Sequence, residues 1–498
     1  MNDNDKYPAS RVVRARPALA ALFAALVLAG CASPVDIDTR ALPDTPSAFK
    51  EATTPEGRWT VAEPAEAQPR GAWWRAFQDP VLDDLVARAA GRNTDLQVAA
   101  ARLAQARAFA RAANAERLPT VGLSAGASRG AEPLARGAAQ TLVTAGAAAS
   151  YEVDLFGRIS LASRAAALDV EQREALLRST LLLVQAEVAQ HYLTLRALDA
   201  ERRLVRETIA AYRDTLRLTE RRHALGDVAE LDVERVRSEV AATEADAIAL
   251  DRRRAELEHA LAVLVGEPAS NFRLEPANTL AALPVVPAGV PSTVLARRPD
   301  VAAAQRALLA AQARVGVAQA AWFPSLSLTA QGGHASTELG DLFRWSARAW
   351  SVGALLSLPI FDGGRRRAGI EGAQAELDAA LAQYRQQLLQ VFREVEDQLA
   401  ALRLLDEQRA AQDRAVQAAS RATVLSGSRY RNGLVSQLEL LDAQRSELRN
   451  RRQAVQVQAA QYQATVGLIR ALGGDWGTDT RLSGAPAPTP EPVTTAAR

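Results

Sequence analysis

The sequence predicts a mostly α-helical fold with a small β part, built as two internal structural repeats and completed only when identical chains associate. Three observations carry this: residue matches that hold one register over most of the chain, two long stretches without proline, and four segments alternating with period two.

The repeat organises everything else. Asp95 to Pro119 aligns with Asp300 to Pro324 at an offset of 205, with Leu96 on Val301, Ala108 on Ala313, Val121 on Leu326 and Leu123 on Leu328. Phe156-Gly157-Arg158 faces Phe361-Asp362-Gly363-Gly364-Arg365, whose two extra residues move the offset to 207. That offset then aligns Glu187-Val188 with Glu394-Val395, Arg222 with Arg429, Gly226 with Gly433 and Gly266 with Gly473. The units expected are 93–273 and 298–480, separated by a Pro-rich connector over 274–297 and followed by a disordered tail over 481–498.

Within each unit the order is short helix, two strands, long helix, short helix. Helix-forming Ala, Leu, Glu, Gln and Arg fill 159–225 and 366–431 without proline, so each becomes one helix of about 100 Å at 1.5 Å per residue. Shorter helices are expected over 93–117, 229–265, 298–322 and 435–472. Alternation marks strands at 119–129, 142–156, 324–333 and 346–361, leaving 129–141 and 334–345 as loops. Val143, Ala145, Ala147 and Ala149 share one face of the second strand, for example, against Thr144, Gly146 and Ser150 on the other.

Four strands cannot close a barrel, which needs about eight, and open edges invite another chain. Three copies supply twelve strands and a ring of paired helices, so the physical expectation is an open tube: a trimeric 12-stranded β-barrel continuous with a long α-helical barrel.

The amino terminus gives the tube an address. Arg11, Arg14 and Arg16 precede the apolar run 18–28, too short for a spanning helix but suited to a signal peptide over 1–30. The run ends in Leu28-Ala29-Gly30-Cys31, which resembles a bacterial lipobox, so Cys31 is the expected lipid attachment point of a 31–92 segment that also holds the first helix. Ala32 and Ser33 follow, and the absence of Asp at the second position implies sorting to an outer membrane. Cys31 is the chain's single cysteine, which excludes an intramolecular disulfide or a multi-cysteine metal site. Lys+Arg at 59 against Asp+Glu at 57 gives a net charge of +2, which argues against a nucleic-acid binder.

Several stretches then resemble the outer membrane factor family, the TolC/OprM-like exit ducts, in its NodT-type lipoprotein branch. They are Trp73-Trp74, Phe77-Gln78-Asp79-Pro80, Asn93-Thr94-Asp95-Leu96, Tyr151 to Arg158, Arg298-Pro299-Asp300-Val301, Phe323-Pro324, Pro359 to Gly364, and Arg429-Tyr430-Arg431-Asn432-Gly433 followed by Leu441-Asp442-Ala443-Gln444. The resemblance implies a homotrimeric, passive efflux duct with its barrel in the outer membrane and its helical tunnel in the periplasm. It also implies a periplasmic adaptor (membrane fusion) protein, an inner-membrane efflux transporter of the RND type, and no cofactor beyond the lipid on Cys31. It places a periplasmic gate at Arg429, Tyr430, Asp442 and Asp232, and adaptor contacts at the turns Gly226-Asp227 and Asn432-Gly433. The first repeat departs there, with His223 in place of Tyr430 and Arg235 in place of Asp442.

Alternatives remain in a type I secretion duct and a periplasmic coiled-coil scaffold lipoprotein. An enzyme is disfavoured: Gly126-Ala127-Ser128-Arg129-Gly130 has nucleophile-elbow spacing but no following helix pattern, and His191, His223, His259 and His334 show no metal spacing.

Overall fold

The computed structural model describes residues 37, 40, 42–52, 71–131, 139–277, 283–284, 286 and 291–474; Cys31, the signal-peptide stretch and the tail lie outside them. The described α-helices and strands run α1 (Pro80–Arg92), α2 (Thr94–Ala115), β1 (Thr120–Ala131), β2 (Ala139–Val153), α3 (Arg158–Ala224), α4 (Glu230–Leu264), α5 (Pro291–Arg297), α6 (Pro299–Ala320), β3 (Ser325–Ser336), β4 (Arg348–Ser357), α7 (Arg365–Arg431) and α8 (Gln437–Ala471). The repeat is visible in these bounds, since α2 and β1 recur as α6 and β3 at 205, and α3 and α4 recur as α7 and α8 at 207. Two units are distinguished: one gathers described residues of 1–42, 102–174 and 303–385, the other those of 43–101, 175–302 and 386–498.

The first unit carries one antiparallel sheet in the order β1-β2-β3-β4, with Thr120 opposite Ser150, Val153 opposite Leu326 and Ser325 opposite Ser357. The β2–β3 pairing joins the two repeats, and it is close: a Cβ added to Gly146 would sit 2.8 Å from the Gly332 carbonyl oxygen. Glycine is required there because the backbones leave no room for a side chain. The sheet has no core of its own, and Leu123, Trp350 and Val352 are 87%, 78% and 73% exposed. The helices of this unit do have one, built from Leu308, Ala311, Val315 and Leu377 with Ile37 packed against it. Acidic residues along α3 hold the neighbouring helices by ion pairs: Asp169 with Arg314 at 2.6 Å, Glu171 with Arg306 at 3.0 Å and Glu174 with Arg107 at 2.6 Å.

The second unit is helical. Asp79 caps α1 by accepting from the Val81 and Leu82 amides at 2.9 and 3.3 Å, and its other oxygen accepts from the Tyr192 hydroxyl at 2.6 Å. Asn93 caps α2 and donates to the Leu264 carbonyl at 2.9 Å; Arg298, its repeat counterpart, donates to the Ala471 carbonyl at 2.9 Å. One side chain per repeat thus ties the start of a short helix to the end of another. Burial works against the Arg298 charge, but Asp300 and Glu394 outweigh it and raise the guanidinium pKa.

Asp199 is a buried charge, its side chain 1% exposed between Arg196, Arg202 and Arg254 at 3.4, 3.1 and 2.8 Å. The same arginines fasten the chain beyond α4, because Arg254 donates to the Leu274 carbonyl at 2.5 Å and Arg196 to that of Glu275 at 2.7 Å. In the second repeat Arg403, counterpart of Arg196, instead holds Glu51 at 2.9 Å, while Glu396 accepts from the Lys50 and Glu51 amides at 2.7 and 3.0 Å.

Several bounds differ from the sequence expectation. The connector 274–297 ends in α5, since Pro291 can open a helix at no hydrogen-bond cost, and the expected 298–322 helix begins at Pro299 because a residue preceding proline avoids helical angles. The strand expected over 346–361 ends at Ser357, opposite the first residue of β3, with Pro359 unable to donate to a ladder. The strand expected over 142–156 shifts to 139–153, and β1 and β3 reach residues 131 and 336, so the expected loops 129–141 and 334–345 lose their ends to strand pairing.

Replacing Asp199 by Ala leaves three arginines in a buried site and should cost about 3–5 kcal/mol, whereas replacing Glu256, whose pair with Arg252 is exposed, should cost under about 1 kcal/mol. Thermal melts of the helical signal measure both. Gly266 has φ +72° and its Cβ would overlap the Arg92 carbonyl, so Gly266→Ala should lower stability by more than the roughly 1–2 kcal/mol of a left-handed backbone alone. The same melts check it.

Candidate gating site at the helix tips

Two turns end the long helices, one joining α3 to α4 and one joining α7 to α8. In each a glycine adopts the left-handed conformation, Gly226 at φ +78° and Gly433 at φ +72°. Asp227 N donates to Arg222 O at 2.9 Å and Gly226 N to His223 O at 2.9 Å; Leu434 N donates to Arg429 O at 2.9 Å and Gly433 N to Tyr430 O at 3.0 Å. Both turns are Schellman motifs, which satisfy carbonyls that the helix end would leave open. Asp227, Asn432 and both glycines are exposed.

The side chains around these turns are not equivalent. Tyr430 is buried, 2% exposed, with the Arg222 guanidinium over its ring at 5.0 Å and its hydroxyl 3.4 Å from Thr219 Oγ1. Thr219 spends its own proton on the Thr215 carbonyl at 2.9 Å, so Tyr430 is the donor in that contact. Gln437, also buried, lies with Oε1 3.4 Å from the same Thr219 oxygen. Tyr430 therefore ties the second repeat's coil to the first. His223, in the matching position of the first repeat, stays local: it is exposed, with Nδ1 3.0 Å from the Val228 carbonyl oxygen.

The charged residues are spread over the surface of the tips. Arg429, exposed, pairs with Glu439 at 3.5 Å, and Asp232 pairs with Arg235 on its own helix at 3.4 Å. Asp442 is exposed on α8, where its charge acts on Arg445. Arg445 in turn crosses from α8 to α4, its Nε donating to Glu239 at 2.7 Å. Behind this surface Tyr212, Val240, Leu441 and Leu216 pack as an apolar plug, where burial pushes the Tyr212 phenol up to about 12.

Of the gate residues expected from sequence, the structure gathers Arg429, Tyr430 and Asp232 near the turns in distinct environments and leaves Asp442 facing out. Sequence reasoning missed Thr219, Arg222, Gln437, Glu439 and the Glu239–Arg445 tie. Arg222 carried a signal, its repeat match to Arg429; the others are polar residues in helical registers with nothing local to mark them. Among the described residues no cluster of His, Cys, Asp or Glu could hold a metal, and no helix is long and apolar enough to cross a membrane. Gly126 to Gly130 lies inside β1, so Ser128 is not on a strand-to-helix turn. Cys31 lies outside the described residues.

Comparison with known proteins places this architecture. The family described as "Outer membrane efflux protein" matches residues 85–267 and 290–474, once per repeat. The pyoverdine export outer membrane protein OpmQ of Pseudomonas aeruginosa is 35% identical over 474 residues, covering 93% of this chain and 97% of OpmQ. The toluene efflux pump outer membrane protein TtgC of Pseudomonas putida is 34% identical over 460 residues, covering 91% of this chain and 94% of TtgC. Among solved structures, the outer-membrane channel OprN superposes with a TM-score of 0.82 at 33% identity, covering 89% of this chain and all of that one. The chain belongs to the outer membrane efflux protein family and is an outer-membrane component of an efflux system.

Proposed function

We propose that three copies of this chain form a passive exit duct: a 12-stranded barrel in the outer membrane that opens into a periplasmic tube of paired helices. The observation that carries this reading is the sheet, which has unpaired edges at β1 and β4 and exposes Val121, Leu123, Trp350, Val352 and Leu356 although the chain as a whole is only 48% hydrophobic. Apolar residues on one strand face and small or polar ones on the other suit a wall between lipid and water. Such a wall tolerates no unpaired edge inside a bilayer.

The duct performs no chemistry, so its control lies in the tips. Arg429 and Asp442 are exposed and therefore within reach of a neighbouring copy, while Tyr430 helps hold the two coils of one chain together. Modest, reversible charge pairs suit a closure that a periplasmic adaptor must undo by docking on the Gly226-Asp227 and Asn432-Gly433 turns. Energy comes from an inner-membrane transporter, here of the RND type. The relatives named for pyoverdine export and toluene efflux favour small molecules, drugs or toxic compounds, over secreted proteins as cargo. A lipid on Cys31 supplies a second hold on the membrane and is the only attached group.

In planar bilayers Arg429→Ala with Asp442→Ala should raise single-channel conductance severalfold over the wild-type chain; equal conductance would remove both residues from the gate. Metabolic labelling with palmitate should mark the wild-type chain and not Cys31→Ser, and label retained by the variant would exclude Cys31 as the acceptor.

A further inference from the structure

We propose that the helical wall next to the sheet carries, on the side that faces the lumen, a binding site for small aromatic anions built by Arg102 and Arg173 with Phe109 beside them. The inference rests on the duct reading above and adds a class of cargo to it.

The order of the helices places the site. α2 leads into β1, β2 into α3, α6 into β3 and β4 into α7, so the sheet order β1-β2-β3-β4 sets these helices side by side as α2-α3-α6-α7. Their contacts follow that order: Glu174 of α3 holds Arg107 of α2, Asp169 of α3 holds Arg314 of α6, and Leu308 of α6 packs in one core with Leu377 of α7. A cavity of about 440 Å³ is nevertheless lined by all four helices. Only the concave side of a curved row offers one space to every member, and that side becomes the inner wall when copies close into a tube. The repeat agrees. Phe109 matches Arg314 at 205, Asp169 matches Glu376 at 207, and all four line the cavity, as expected when two copies of one unit turn the same positions inward.

The charges in this cavity do not balance. Arg314 answers both of its carboxylates, donating to the two oxygens of Asp169 at 2.9 and 2.6 Å and lying 3.7 Å from Glu376. Arg102 and Arg173 line the same space and form no ion pair among the described residues. Their repeat counterparts are Ala307 and Ala380, which also line it, so the surplus positive charge belongs to the first repeat alone. A shared structural duty would have appeared in both.

What fits there follows from the groups present. Two uncommitted guanidiniums bind a carboxylate, sulfonate or phosphate through charge-assisted hydrogen bonds, and Gln105 and Gln172 add neutral amide donors from α2 and α3. Phe109, 64% exposed, offers a ring for an aromatic body to stack on. The volume lies within the roughly 300–1,000 Å³ of sites that hold drug-sized molecules. Arg102 is exposed and Arg173 half-buried, so water weakens the hold and keeps it reversible, which suits a molecule in transit.

Current through the full-length, lipidated chain in planar bilayers tests the site, with naphthalene-1,5-disulfonate as the probe and methyl viologen, an aromatic dication, as its control. The disulfonate should block the wild-type current more strongly than the dication does, and more strongly at low salt than at high salt. Arg102→Gln with Arg173→Gln should raise the half-blocking disulfonate concentration at least about tenfold, since charged hydrogen bonds are lost. Neither substitution removes a described ion pair, and the current of the variant without probe shows that it has assembled; Arg173→Gln alone gives the same test if the double variant carries none. Equal block of wild type and variant, equal block by the dication, or no block of the wild type at all overturns the site and leaves the duct standing. A wild-type chain that carries no current overturns the duct and the site with it.

Discussion

Unpaired backbone at the edges of one small sheet is the constraint on which the rest of this molecule depends. Among the described residues, β1 and β4 each present a row of amide and carbonyl groups with no partner strand, beside side chains as exposed as Leu123 and Trp350. Water could solvate those groups but would not favour the apolar face, and lipid would favour the face but leave the groups unsatisfied. Closure by further copies of the same strands meets both demands. That need accounts for a helical chain retaining four strands.

Duplication supplies the geometry, and departures from it supply the function. The paired caps at Asn93 and Arg298, and the left-handed glycines at the tips, show one plan used twice. Where the copies differ, a specific task falls to one of them. Arg196 anchors the chain after α4 while Arg403 anchors Glu51 from the amino-terminal segment. Tyr430 buries itself against Arg222 while His223 remains in its own turn, so the matching positions of the two repeats do different work.

Much of the fold was legible in the sequence because its determinants are local. The bounds of α3 and α7 lie within one residue of expectation, since Gly226 and Gly433 stop the helices where a Schellman turn can form and no proline interrupts them. Strand ends were less legible: Ser357 ends β4 because Ser325 is its last partner, a fact of pairing that alternation alone does not contain. The tip was least legible. Thr219 and Tyr430 are 211 positions apart, and the buried Asp199 meets Arg254 across 55, so neither contact leaves a mark on its neighbours in sequence.

Native mass spectrometry of the wild-type chain extracted from outer membranes tests the central claim most directly. The account predicts a dominant species of three times the mature chain mass, carrying lipid. A stable, folded species of one chain mass, with its β-signal intact, would show that the sheet satisfies its edges without other copies and would contradict the account.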